Sequence, residues 1–251
     1  MNLLRILGIL AIGLIPLSSV PQASGKTPQP LVMLYVRDPE RMVIGSDSPV
    51  FALYDNGLVI YVSGEKRPEE AFLAKLFSPP ELRELLTTID PERRLAGLDG
   101  KTIEASMAQD QPTNRICYWI NGKLRAVSVY GRLRESAPER EQVPKPFLEV
   151  FDILRQFRTK GAKPWLPPLI EVLIWPFDNS QLKPEPWPKE WPGLDDPATR
   201  KRGDRGYSLF LESRHFSDFL NLGRNMRSGQ ALLIGDKKWA VSYRIPFPGG
   251  F

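Results

Sequence analysis

Hydrophobic residues along the chain form short β-like runs that are separated by turn sequences. In each pair of neighbouring runs, β-branched and aromatic residues are joined by a segment that contains glycine. Asn-Gly accepts the positive φ angles of a tight turn, so such a pair predicts a β-hairpin. The pattern predicts three hairpins: residues 50–62 around Asp55-Asn56-Gly57, residues 116–130 around Asn121-Gly122, and residues 231–245 around Gly235-Asp236-Lys237-Lys238.

Three other segments have the 3.6-residue spacing of amphipathic helices. Ser78-Pro79-Pro80-Glu81 reads as a capping box with proline in the first turn, and Pro91 ends the apolar run that follows it. The second helix takes Phe147 to Phe157 as its apolar face, and the third begins after Ser213 and ends by Gly223. Further strands are expected at 31–36, 102–107, 169–175 and 207–212.

This order of elements predicts an α+β fold, with antiparallel β-hairpins and meanders packed with about three amphipathic helices. The strands are joined by short turns and not by helical crossovers, which excludes a doubly wound parallel sheet. We expect a signal peptide at 1–25, a hairpin and helix domain at 26–161, and a second α+β half at 162–251 with a Trp/Pro-rich loop. The two halves alternatively form one domain.

The amino-terminal segment predicts export from the cytoplasm. Arg5 precedes an uncharged apolar run from Ile6 to Leu17, and the small residues Ala23-Ser24-Gly25 follow. These features are typical of a secretory signal peptide with cleavage near Gly25. The run has 12 residues, whereas a membrane-spanning helix needs about 20. We therefore expect a mature periplasmic or extracellular chain without a transmembrane helix; the alternative is an anchor that is not removed.

Composition excludes several classes of function. The chain has 34 basic and 29 acidic residues, one histidine and one cysteine. The acids interrupt the positive field, so a nucleic-acid partner is not expected. One cysteine and one histidine exclude an intrachain disulfide framework and a zinc site built only from these residues. Neither a metal nor a cofactor is predicted, and no residue is designated as catalytic. We expect Cys117 to be a buried thiol and His215 to lie at the surface of a helix.

The Trp/Pro-rich segment at 176–201 is the most distinctive stretch of the sequence. Its prolines exclude a central strand or a long helix, and its length is unusual for a simple connection. Trp175, Trp187 and Trp191 are therefore the candidate ligand-binding residues, as an aromatic surface for a protein or glycan partner. The alternative is that the loop folds back and the rings pack against the sheet or a helix. Basic pairs such as Lys201-Arg202, if clustered in space, would contact anionic glycans or a membrane surface.

The sequence favours an exported, non-enzymatic binding or structural protein of the cell envelope, since signatures of catalysis and cofactor binding are absent while those of folding are strong. One alternative is a carboxylate-dependent glycan hydrolase, which needs two acids in a cleft; the acids near the tryptophans are Glu171, Glu190, Asp195 and Asp196. Another is a protease-inhibitor-like module with a protruding hairpin tip at Asp55-Asn56-Gly57.

Overall fold

The computed structural model describes residues 27–39, 48–63, 72–203 and 206–249. These residues form two β-sheets, three helices of ten or eleven residues and one five-residue helical turn. Most strand pairs are antiparallel. The predicted α+β fold is confirmed. The predicted signal peptide lies outside the described residues.

The first sheet has eight strands, contributed by the first part of the chain. They are β1 (Pro30–Arg37), β2 (Phe51–Tyr54), β3 (Leu58–Val62), β4 (Phe72–Leu76), β5 (Thr102–Glu104), β6 (Thr113–Ile120), β7 (Lys123–Tyr130) and β8 (Lys163–Pro164). Their spatial order is β5-β7-β6-β1-β2-β3-β4-β8. Only the short edge strand β5 pairs in parallel among the described strands of this sheet, and its partner is β7.

The second sheet has six strands from the carboxyl-terminal part of the chain. They are β9 (Leu169–Pro176), β10 (Glu185–Pro186), β11 (Arg200–Arg202), β12 (Gly206–Glu212), β13 (Leu232–Ile234) and β14 (Lys237–Arg244). Their order is β10-β13-β14-β9-β12-β11, so both edge strands come from the Trp/Pro-rich segment and the residues just after it. Proline has no backbone N–H to donate to a neighbouring strand, and an edge strand, which has a neighbour on one side only, can accommodate it.

The three predicted helices begin and end within two residues of the positions that the sequence signals give, and the structure adds one five-residue helical turn that the sequence pattern did not predict. They are α1 (Pro79–Ile89), the five-residue α2 (Pro91–Leu95), α3 (Lys145–Arg155) and α4 (Phe216–Asn225). The Glu81 carboxylate accepts hydrogen bonds from the Ser78 backbone N–H and hydroxyl, both at 2.7 Å, so the predicted capping box is present. No helix among the described residues is long and apolar enough to span a membrane.

Two buried clusters hold these layers together. One cluster lies between the first sheet and the helices α1 and α3, and Phe51, Ile116 and Phe147 are fully buried in it. The other joins the opposite face of the first sheet to the second sheet and α4. Its residues therefore come from both the 26–161 and the 162–251 parts of the chain.

An aromatic junction connects the two parts within the second cluster. The Phe247 ring lies 5.3 Å from Phe72 and 5.1 Å from Trp165, between ring centroids. The Ile245 backbone N–H and carbonyl both bond to the Ser48 hydroxyl, which is buried. Residues 245–247 thus pack directly on β4 and on Ser48, which lies 197 residues before Ile245.

The three predicted hairpins are present, and the structure adds short strands that the sequence pattern did not indicate. These are β4, β8, β10 and β11. The strand expected at 102–107 covers only Thr102–Glu104, because only these three residues pair with β7. Helix α4 continues through Gly223 to Asn225.

Candidate functional site

The three candidate tryptophans do not lie on one surface. Trp187 and Trp191 are 9% and 6% exposed and pack edge to face, with 5.0 Å between their ring centroids. Both contact Phe219 of α4, and the Trp187 indole N–H donates to the Pro192 carbonyl at 3.0 Å. Their rings fill the cluster between β-sheet and helix, which is the packing arrangement considered above as the alternative to a binding surface.

Trp175 lies on the other side of the second sheet. On β9, Ile170, Val172 and Ile174 point into the buried cluster. Side chains alternate along a strand, so Trp175 points to the opposite face. It is only partly buried. Of the three predicted residues, Trp175 alone contributes to an accessible face of the sheet.

We call this side of the second sheet the outer face. Strand register defines its members, since residues paired on neighbouring strands share a face. None of its described hydrophobic residues belongs to either buried cluster. The outer face consists of Leu169, Glu171, Leu173 and Trp175 of β9, Gly206, Ser208, Phe210 and Glu212 of β12, Arg200 and Arg202 of β11, Pro186 of β10, Leu233 of β13, and Lys238, Ala240, Ser242 and Arg244 of β14.

A buried carboxylate lies among these residues. The Glu171 side chain is 4% exposed, and its Oε2 is 2.5 Å from Arg244 Nη2. Its Oε1 accepts from Arg202 Nη2 and from the Ser208 hydroxyl, each at 2.6 Å. Arg202 Nε also donates to Ser208 Oγ at 2.8 Å. One carboxylate is thus shared by two arginines from opposite sides of β9.

These contacts keep the carboxylate ionised. Burial alone raises the pKa of Glu171, but the hydrogen bond from Ser208 and those from Arg244 and Arg202 outweigh it, so the pKa is lowered. A carboxylate held as an anion by three donors is a poor general acid. Glu171, one of the four acids named for the hydrolase alternative, is therefore a structural residue of the outer face.

The outer face is basic and partly aromatic. Four cationic side chains share it with two carboxylates, and one of those carboxylates is Glu171, already paired. The Arg200 guanidinium lies 5.1 Å from the centre of the Phe210 ring. Arg202 remains 50% exposed although it binds Glu171. Trp175 and Arg202 flank Gly206 in one row of the sheet.

The other acids near the tryptophans form no such group. Glu190 and Asp195 are exposed. Asp196 accepts the Ala198 backbone N–H at 2.8 Å and so stabilises a turn. Among the described residues, no group of three or more His, Cys, Asp or Glu side chains is placed to hold a metal ion.

A surface depression at one end of the first sheet contains a different pair of acids. It has a volume of about 350 Å³, and Asp38 and Asp110 line it together with Arg37 and Tyr130. The Tyr130 hydroxyl donates to the Ala108 carbonyl at 2.9 Å. This depression is a further place where the hydrolase alternative can be tested, with acids other than those named from the sequence.

The remaining sequence candidates have structural explanations. Cys117 is buried and has no disulfide partner, and burial raises the pKa of its thiol although Arg115 and Arg37 lower it in part. Arg115 lies two residues before Cys117 on β6, whereas Arg37 comes close only through the pairing of β1 with β6. His215 is half-buried before α4, beside the Trp191 ring.

The hairpin tip Asp55-Asn56-Gly57 does not protrude as an inhibitor loop must. The Asp55 carboxylate accepts the Gln29 backbone N–H at 2.9 Å, and the Gly57 carbonyl accepts that of Phe77 at 2.9 Å. The tip therefore packs on its own domain. The condition for the inhibitor alternative is not met.

Comparison with known proteins adds no further assignment. No family model matches the chain, and no curated protein and no solved structure matches it either. Sequence reasoning missed Arg200, Phe210 and Arg244 as members of this face, and the available signal was the single carboxylate at 171 inside an apolar strand.

Proposed function

We propose that the chain is an exported, non-enzymatic binding protein of the cell envelope, and that the outer face is its binding surface. The observation that carries the proposal is the partly exposed aromatic and basic side of a sheet whose other side is fully engaged in the core. Binding surfaces combine rigid aromatic side chains, which give contact area at low entropic cost, with arginine, whose planar guanidinium donates several hydrogen bonds at once.

The rigidity of this face supports a binding function. Glu171 fixes Arg202 and Arg244 in position by charge-assisted hydrogen bonds. Strands β9, β12 and β14 carry the face at the centre of the sheet. Preorganised side chains lose little freedom when a partner binds, so more of the contact energy appears as affinity.

Export supports the envelope as the place of action, and this part of the proposal depends on the amino-terminal sequence. A charged start, a 12-residue apolar run and Ala23-Ser24-Gly25 predict removal of residues 1–25. The native product recovered from the host's envelope fraction should then begin near Lys26. An intact mass that includes Met1 would contradict cleavage.

The binding proposal is tested by cosedimentation of the purified protein with the envelope fraction. The double variant Trp175→Ala/Arg200→Gln should lose most of the bound fraction, because it removes one ring and one exposed cation from the outer face. The matched control is Lys201→Gln, which removes the same charge from the neighbouring residue, whose side chain points away from that face.

Equal binding by the double variant and by wild type would refute the outer face as the binding surface. Release of reducing ends from envelope glycans would instead favour the hydrolase alternative at the depression of Asp38 and Asp110. In that case Asp110→Asn should abolish the release.

A further inference from the structure

We infer that the outer face binds an acidic polysaccharide, whose sugar ring packs on Trp175 and whose carboxylates bind the arginines beside it. This inference rests on the proposed function and specifies its ligand class. It follows from the charge of the face, from the kinds of side chain that lie next to each other, and from the edges of the sheet.

Charge complementarity requires an anionic occupant. Arg200 and Arg202 are exposed on β11, while Glu171 already has all of its oxygens bound. The other carboxylate of the face, Glu212, is engaged by Arg214 at 3.1 Å. Guanidinium groups bind carboxylates through two parallel hydrogen bonds, which gives geometric selectivity that a lysine does not give.

The aromatic component favours a sugar ring. Trp175 projects from the central strand β9, with Ala240 on one side and Gly206 on the other. Trp175 is only partly buried, so part of its indole ring remains accessible above the sheet. The apolar C–H face of a pyranose ring packs on such a ring through dispersion and weak C–H contacts to its π-system.

The spacing of strands brings the two components within reach of one chain of sugars. Trp175 and Arg202 occupy the same row of the sheet and are separated by one strand. Neighbouring strands lie about 4.8 Å apart, so the two Cα positions are roughly 10 Å apart. Two linked sugar residues span a distance of this order.

The sheet edges argue against a peptide partner. Extended peptides are commonly bound by adding a strand to an open edge. Here the edge strands β10 and β11 have two and three residues. A membrane surface is also a poorer fit, because the two exposed large hydrophobic side chains of the face, Leu169 at 42% and Leu233 at 36%, lie at opposite ends of the sheet and form no continuous apolar patch for insertion.

The test is a binding titration of the purified protein with sodium polygalacturonate, followed by calorimetry and tryptophan fluorescence. Dextran serves as the neutral polysaccharide, poly-L-glutamate as the acidic peptide, and phosphatidylglycerol vesicles as the anionic membrane. We expect binding to polygalacturonate, weakened by salt, and at least tenfold weaker binding to the other three.

Variants locate the binding on the outer face. Trp175→Ala should weaken polygalacturonate binding about tenfold and Arg200→Gln about threefold, whereas Lys201→Gln should leave it within a factor of about 1.5. Arg202 is left intact because its removal would take away one of the two cations that pair with the buried Glu171. Circular dichroism and the melting temperature confirm that each variant is folded.

The outcomes separate the ligand class from the binding function. Equal binding of dextran, of polyglutamate or of the vesicles overturns the acidic polysaccharide, and so does an equal loss in Lys201→Gln. If polygalacturonate does not bind but envelope binding still depends on Trp175 and Arg200, the ligand class is wrong and the proposed function stands. If neither binding depends on these residues, both are wrong.

Discussion

At the scale of single residues, Glu171 links the outer face to the stability of the fold. Its folded-state pKa lies below the ordinary value of 4.5, since hydrogen bonds outweigh burial. A lowered pKa means that the stabilisation is complete above about pH 4.5 and is lost as the pH falls through the folded-state pKa. We therefore expect the free energy of unfolding to decrease on acidification below pH 4.5.

The variant Glu171→Gln tests this. At pH 7 it should lower the free energy of unfolding by about 3 kcal/mol, because it leaves the arginines without their buried counter-ion. Its stability should also depend less on pH between 3 and 5. Urea denaturation at several pH values gives both quantities. Glu190→Gln, an exposed carboxylate, is the control; a wild-type pH slope in Glu171→Gln would contradict the assignment.

The same residues show why the site was only partly predictable. Trp175, Trp187 and Trp191 look alike in the sequence, and their difference comes from tertiary structure. Trp175 takes the outward position of an alternating strand, whereas the other two lie on a loop that folds over α4. Arg202 and Arg244 reach Glu171 across 31 and 73 residues of sequence, which no local pattern reveals.

At the scale of elements, the first hairpin depends on a glycine for two separate reasons. Gly57 has φ +85°, and a Cβ atom there would lie 2.3 Å from the Phe77 carbonyl oxygen. Gly122, in the second hairpin, has φ +74° but no atom within 4 Å of such a Cβ. The two positions therefore separate backbone strain from steric overlap.

We expect Gly122→Ala to cost about 1 kcal/mol, the strain of a left-handed alanine. Gly57→Ala should cost roughly 3 kcal/mol or more, because the backbone of Phe77 must also move. Equilibrium unfolding in urea measures both. Similar costs for the two variants would show that the contact between the hairpin tip and Phe77 is loose.

Local signals explain which elements were predictable. Each hairpin and helix is specified by a signal that lies within about ten residues of sequence. Asn121-Gly122 and the Ser78–Glu81 capping box are examples. The strands β8, β10 and β11 have two or three residues and exist because a longer strand offers an edge. Such strands have no periodicity of their own, so only the folded sheet reveals them.

At the scale of the whole molecule, the first sheet lies between two buried clusters, with helices on one face and the second sheet on the other. We propose that the 26–161 and 162–251 parts unfold as one cooperative unit, since the second cluster contains residues from both. The aromatic junction of Phe72, Trp165 and Phe247 is where this coupling can be broken.

Phe247→Ala should lower the free energy of unfolding by about 4 kcal/mol, the usual cost of emptying a buried phenylalanine site, as Phe247 is 4% exposed. Native-state hydrogen exchange should show equal losses for slowly exchanging amides of β3 and of β12. Phe157→Ala is the companion variant. The Phe157 ring contacts Phe51 and Tyr61 in the helix-side cluster, away from the second sheet. If the two sheets form one unit, this variant also destabilises β12; if β12 keeps its wild-type protection, the chain consists of two independently folding domains, each with its own stability.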